Sequence, residues 1–361
     1  MKLKLGIASG DRVPPQRSPD NKSHWGGAGW VRLGQYEPLL ETDTFIGTLV
    51  WNRTHFSIQT DGDSTLHDVD IIIMQRLMHD TLPEHMKLAQ KAGQIIINDL
   101  DDWYWGLDTT NLAFDASHPK TSPNENTNHY KKVLATSDRI TVSTPYLRDR
   151  LIKMFSNCPP IDVLLNTVDV KRFNIHEHIT ETKPIVGWVG STNHRSGDLE
   201  TVAGTIPPLQ KLGLISLQHS GAHPNAPSLA SKWNITETSV TSFPATDPED
   251  YPNLLTMDIG IAPLRDTPFN HAKSDIKILE YSASGIPWVA SGLPAYETLQ
   301  KLWGVGRVAK KNKAKEWQKH ITALCDPKVR AEEGQALREA SWSRDILVGA
   351  DTFNSYLNAL L

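Results

Sequence analysis

"KSDIKILEYSASGIPWVAS" occupies residues 273–291. Charge comes first, then a short apolar stretch, small residues, a glycine, a proline and an apolar run. That punctuation marks a short helix feeding a buried strand. Ser274 is a good N-cap and Asp275 suits a first helical turn. Gly285 is a stop signal, and Pro287 cannot continue the helix. Lys277 and Glu280 lie about one turn apart and share a face with the helix entrance. Lys273 stands just before it. Unpaired N–H groups and the positive dipole end at a helix start suit phosphate. The lysines add full charges, and a glutamate one turn deeper can accept from two ribose hydroxyls. The stretch therefore reads as a grip for a nucleoside diphosphate. An exposed amphipathic helix with a Lys–Glu pair accounts for the same local pattern.

The rest of the chain sets the frame. It has 361 residues, 39% hydrophobic and 22% charged, with a net charge of −4 at pH 7. That length suits two domains of ordinary size. The charge excludes a global positive field that would pull the protein onto nucleic acid or an anionic membrane. The two cysteines, Cys158 and Cys325, suggest neither a disulfide framework nor a metal spacing, which fits a reducing compartment. No apolar run approaches the ~20 residues that span a bilayer, and "MKLKLGIASGD" lacks the shape of a signal peptide. The expectation is a cytoplasmic protein without membrane insertion; its oligomeric state is left open.

Outward from the opening stretch, apolar runs alternate with helical patterns. "KLKLGIAS", "DIIIMQR" (70–76), "QIIINDLDD", "RITVS" and "PIDVLLN" read as strands, separated by helix-like segments such as "LPEHMKLAQKAG". A fresh series begins with "IVGWVGS" (185–191) and continues through "ISLQHSG", "DIGIAPL" and "PWVAS". Strand–helix alternation argues for parallel sheets covered by helices, here in two doubly wound Rossmann-like units. The expected boundaries are an N-terminal domain at 1–166, a linker at 167–184, a C-terminal domain at 185–340 and a helical segment at 341–361. Between the first strand and a helix expected from about residue 30 to 40 runs a long Pro-rich loop. It bears Arg12, Arg17 and Lys22, so it reads as a basic lip.

Several motifs in order resemble the GT-B glycosyltransferases, in particular their large family 4-like group. "LEYSASGIPWVAS" resembles the donor-binding segment, with Glu280 at the place of the glutamate that holds the nucleotide ribose. A second glutamate of that family falls at position 272, which is Ala272 here. "IVGWVGSTNHRSGDLETV" resembles the start of the C-terminal domain, with Gly190, Ser191 and Arg195 at the phosphate-contacting places. "WGGAGWVRLGQY" resembles the N-terminal glycine loop, represented by Gly26 and Gly27. "LLNTVDVKRFN" resembles the interdomain linker. The match covers nearly the whole chain and extends to glycosyltransferases encoded by phages of actinobacteria. It implies a GT-B fold of two Rossmann-like domains facing across a cleft, closed by a C-terminal helix. It also implies a nucleotide-sugar co-substrate, UDP-sugar favoured, metal-independent catalysis without a cofactor, and retention of configuration. Donor contacts are then Gly26, Gly27, Gly190, Ser191, Arg195, Lys273, Ser274, Lys277 and Glu280. DNA with hydroxymethylated bases and proteins are the polymeric acceptors considered.

"NDLDDW" places Asp99, Asp101 and Asp102 at a strand end, where an α/β domain presents ligand groups. Carboxylates this close repel, so pKa values should rise, and one could accept a proton from an acceptor hydroxyl. A cation site, or a salt bridge to Arg76, are the competing readings. Among fourteen histidines, His24 beside the glycine loop is the catalytic candidate and His79 the second. Trp103, Tyr104 and Trp105 could stack on a sugar or fill the core. A sugar-nucleotide epimerase of the same fold, or a non-catalytic nucleotide-sugar or glycan binder, are the alternatives; Ala272 keeps the last of these open.

Overall fold

The structure is a computed structural model that describes residues 2–178, 183–193 and 197–360. It separates into two compact units. The first comprises Met1–Leu107, Ala113–Asn166 and Gly349–Leu361, the second Asp108–Leu112 and Thr167–Val348. Residues 167–178 thus belong to the second unit.

The first unit carries the strands β1 (Lys4–Ser9), β2 (Arg12–Val13), β3 (His24–Trp25), β4 (Asp43–Trp51), β5 (Phe56–Thr60), β6 (Leu66–Asp68), β7 (Ile71–Gln75), β8 (Ile95–Leu100), β9 (Arg139–Val142) and β10 (Ile161–Val163). The main sheet runs β10-β9-β8-β7-β1-β4-β5-β6. From β10 to β4 its neighbours are parallel. Parallel strands are covered on both faces, so they read as unbroken apolar runs; Ile71, Ile72, Ile96 and Ile97 are fully buried. The sheet is not wholly parallel, as the alternation had suggested, because β5 and β6 return antiparallel beside β4.

The expected structureless loop is also corrected. β2 pairs antiparallel with β3, and a 3₁₀ turn spans Pro15–Arg17. Arg12 donates to the Asp61 carboxylate and lies 5.8 Å over the Trp25 ring. Its charge is engaged inside the fold, so it is not part of a free basic lip. The helix expected over about 30–40 is instead an α-helix at Gly27–Arg32 followed by a 3₁₀ helix at Gly34–Leu39. The last helix, Ile346–Asn358, returns to this unit, with Phe353 edge-on to Tyr36 at 5.6 Å.

The second unit carries β11 (Ile185–Val189), β12 (Ser216–Ala222), β13 (Thr241–Pro244), β14 (Ile259–Ala262), β15 (Trp288–Ser291) and β16 (Arg307–Ala309). All are parallel, in the order β13-β12-β11-β14-β15-β16. One side of the sheet is packed by Ile278, Leu279, Tyr281 and Trp288, another core by Trp188, Val202, Ile206 and Trp317. Both sheets have a point where the winding reverses, at β1/β7 in the first unit and at β11/β14 in the second. Ligands of open α/β sheets bind beyond the carboxyl ends of the strands at such points.

Candidate functional site

In the second unit the reversal lies between the ends of β11 and β14. Gly190 directly follows β11 with φ +132°, a backbone conformation that L side chains rarely adopt. Its turn is held tightly. The His219 ring on β12 meets the Gly190 carbonyl at 3.0 Å. A Cβ on Gly221 would come within 3.1 Å of the Gly190 backbone. Burial depresses the His219 pKa, the hydrogen bond to Gly190 opposes this and the Lys277 charge adds to it.

The helix from the opening stretch, Ile276–Ala283, enters beside this turn. Its N-cap is Asp275 rather than Ser274, and Asp275 does not cap with its side chain. Its carboxylate is instead taken by Arg344, at 3.0 and 3.1 Å. The helix start is therefore shifted by one residue from the expected position. Lys277 donates to the Val189 carbonyl and lies 5.6 Å over the Trp188 ring. Its Nζ is 3.5 Å from where a Cβ on Gly190 would sit. Lys277 and the glycine turn thus lie side by side. Glu280 accepts from the Tyr251 hydroxyl at 2.7 Å. Burial raises its pKa, against the pull of Lys277 and Tyr251.

Lys273 lies 4.4 Å over the Phe269 ring. Asn270, two residues before Ala272, is buried and donates to Asp198 at 2.8 Å. Ser191 accepts from the Asn193 amide at 3.3 Å. Arg195 and His194 lie outside the described residues.

Two residues that the sequence reading missed stand here. Tyr251 orients Glu280. Arg265, just beyond β14, packs against Gly197, where a Cβ would meet its side chain at 2.9 Å, and donates to Asp108 at 3.2 Å. Its signal was a cation directly after the apolar "IGIAPL" strand.

In the first unit the reversal brings Asp11, beyond β1, to Arg76, beyond β7, at 2.6 Å. Arg76 also lies 5.7 Å over the Tyr104 ring. Asp11 organises the glycine loop: its carboxylate accepts from the Gly29 amide at 2.7 Å and its carbonyl from the Gly26 amide at 2.6 Å. A Cβ on Gly26 would strike the Asp11 carboxylate at 2.5 Å, whereas one on Gly27 meets nothing within 4 Å. Gly26 is thus required by packing and Gly27 leaves open space.

The three aspartates part company. Asp99 is buried and saturated. It accepts from Arg32 at 2.6 Å, from Thr141 at 2.8 Å and from Gln75 at 3.1 Å. A carboxylate so engaged positions the loop helix that carries Arg32; it is not poised for proton transfer. Asp101 is different. Its Oδ1 is buried and meets no hydrogen-bond partner among the described residues. Burial and the neighbouring Asp102 charge push its pKa up to about 7, against the pull of Arg76. Asp102 stands near both. Arg76 pairs with Asp11, and its charge also lies near Asp101 and Asp102. His24 is taken up by Asp20 at 2.8 Å on the β2–β3 ribbon, and His79 contacts Asp80 at 3.0 Å. Trp103 and Tyr104 are buried and belong to the core.

No family model matches the chain. A stretch of 56 residues is 38% identical to TuaH of Bacillus subtilis (strain 168), assigned by name to teichuronic acid biosynthesis as a glycosyltransferase. It spans 15% of this chain and 14% of that relative's length. Likeness to solved structures covers the whole chain. Sucrose-phosphate synthase from Thermosynechococcus elongatus is 13% identical, with a TM-score of 0.66 over 100% of this chain and 99% of that one. Anabaena HepE in complex with UDP is 13% identical, with a TM-score of 0.65 over 99% and 100%. HepE was also crystallised with UDP-glucose, and that structure matches at 11% identity with a TM-score of 0.63 over 99% and 100%. The fold is therefore GT-B, the architecture of a class of glycosyltransferases. Among the described residues no helix is long and apolar enough to cross a membrane.

Proposed function

We propose that this chain is a glycosyltransferase that moves a sugar from a nucleoside diphosphate sugar, preferentially a UDP-sugar, to an acceptor hydroxyl. The observation that carries the reading is the meeting of Lys277, Gly190 and the Tyr251-held Glu280 at the reversal of the second sheet. The glycine turn lets phosphate approach the backbone, Lys277 balances its charge, and Glu280 accepts from the ribose hydroxyls. The complexes of HepE with UDP and UDP-glucose support this choice of donor.

Charge developing on the departing diphosphate is stabilised by Lys277, Lys273, Arg265 and the helix amides, with Arg195 assigned to the same task from its place in the sequence. Asp101 in the first unit is the group that accepts a proton from the acceptor hydroxyl. The resemblance to family 4-like and phage-encoded enzymes favours retention of configuration and catalysis without a metal, and the cysteine usage favours a reducing, cytoplasmic setting. The resemblance also favours a polymeric acceptor, modified DNA or protein. Because Ala272 is fully buried and brings no carboxylate, a nucleotide-sugar binder without turnover is the second reading.

Binding separates the parts of the proposal. A charge-assisted contact contributes about 1.5–3 kcal/mol, so Lys277→Ala is expected to weaken UDP binding roughly tenfold or more in calorimetric titration. Glu280→Gln is expected to weaken UDP more than its 2′-deoxy counterpart, since the charge-assisted bonds go to the ribose hydroxyls. Unchanged UDP binding in Lys277→Ala, or equal losses for both nucleotides in Glu280→Gln, sinks the assignment.

Transfer is expected to survive a chelator, because lysine and arginine supply the countercharge. Loss of turnover restored by magnesium or manganese would instead make the Asp101–Asp102 cluster a cation site.

A further inference from the structure

Away from the donor grip, two histidines and an aspartate converge at the other end of the second sheet. Asp258 directly precedes β14, so it lies at the amino ends of the parallel strands, opposite Gly190 and Lys277. His176 Nε2 is 3.0 Å from Asp258 Oδ1, and His178 Nδ1 is 3.9 Å from the same oxygen. One ligating atom from each of the three residues lies within 4.8 Å of the other two. Tetrahedral zinc with bonds of about 2.0–2.1 Å keeps its ligand atoms roughly 3.4 Å apart, and the first two separations bracket that value.

We propose that His176, His178 and Asp258 form a zinc-type divalent-cation site that pins the segment entering β11 to the sheet.

The hydrogen bonds around the trio point the same way. His178 Nε2 sits 3.0 Å from the Gly285 carbonyl and must carry the proton that this acceptor requires. In the neutral ring Nδ1 is then a bare lone pair. The His178 side chain is 6% exposed, and its buried Nδ1 has no hydrogen-bond partner among the described residues. What it faces is a carboxylate oxygen, another acceptor. Two buried acceptors aimed at one another are unfavourable unless a proton or a metal ion lies between them.

The surroundings match the outer sphere of a metal site, in which a ligating histidine donates its other N–H to a carbonyl and a ligating carboxylate is itself hydrogen-bonded. Here Gly285 receives His178, and the second oxygen of Asp258 accepts the Ile185 amide at 2.8 Å. Two imidazoles and one carboxylate form a donor set suited to zinc, with the fourth position left to water. The His176 amide also bonds the Ser284 carbonyl at 2.8 Å. The metal would thus join the entry to β11, the start of β14 and the turn before β15. Its place opposite the donor grip makes it structural.

The test uses the full chain, stripped with a chelator and dialysed, then titrated with zinc at pH 7.5. One zinc per chain is expected. His176→Gln and His178→Gln should each weaken binding at least thirtyfold. Zinc should raise the unfolding midpoint of the wild type and not of the variants, with far-ultraviolet circular dichroism verifying their fold. Should a variant fail to fold, cobalt titration of the wild type decides: visible absorption of a tetrahedral nitrogen–oxygen site supports the proposal. Zinc bound no tighter by the wild type than by the folded double variant, or a cobalt titration without such absorption, overturns it. In that case a proton on His178 occupies the place assigned to the metal.

Discussion

Asp101→Asn is expected to lower kcat by about 10²–10⁴-fold while leaving UDP affinity unchanged. The carboxylate is the one in its cluster with a buried oxygen that meets no protein hydrogen bond among the described residues, and its pKa is pushed up to about 7 by burial and by Asp102. A base poised near neutrality is well matched to taking a proton from a hydroxyl. Activity should therefore rise as pH climbs through about 7 in the wild type and lose that step in the variant.

The same shift has a sign for stability. The folded protein holds this proton above the ~3.9 of a free aspartate. Stability attributable to the group is thus present at low pH and lost as pH rises towards about 7. Asn cannot ionise, so the variant should unfold at a higher temperature than the wild type at pH 8, with the difference fading near pH 4. A gain in stability together with lost turnover separates a reactive carboxylate from a structural one. Normal turnover in the variant would remove Asp101 from the chemistry.

Arg32→Met is expected to destabilise the first unit by about 3–5 kcal/mol, because it leaves the Asp99 charge buried without its ion partner. Both side chains are almost fully buried, at 4% and 2% exposure, and Arg32 also donates to Asn166 at 2.8 Å. The remaining bonds from Thr141 and Gln75 do not neutralise the charge. Denaturant melts of the wild type and the variant measure the difference. Asp99→Asn should fall in the same range, since it strands the guanidinium instead. A loss below about 1 kcal/mol in both, the range of exposed pairs, would show that the pair is not the anchor described here. The outcome also bears on Asp99: a large stability loss fits a residue that positions the glycine-loop helix.

Most of the architecture was legible because parallel strands buried on both faces write themselves as apolar runs, as "IIIM" and "IIIN" do. The β4–β6 ribbon was missed because an antiparallel edge mixes polar and apolar residues without a helix to delimit it. Lys277 and Glu280 could be paired from sequence since one helix carries both. The Asp11–Arg76 pair could not: it joins residues 65 positions apart, brought together by the reversal of winding at β1/β7. Arg12 was misread for the same reason, as its partner Asp61 is supplied by the turn after β5. The helix begins after Asp275, whose carboxylate is held by Arg344, a residue 69 positions away that the local pattern could not supply.

The proposed transferase must grip a UDP-sugar and cleave it between sugar and diphosphate. Incubating the full chain with UDP-glucose and other UDP-sugars, and quantifying free UDP and the fate of the sugar, tests it most directly. Slow UDP release is expected without acceptor, accelerated by the true acceptor and strongly reduced in Lys277→Ala. Binding with no UDP released under any condition, or a sugar altered at a carbon while still attached to UDP, would contradict it.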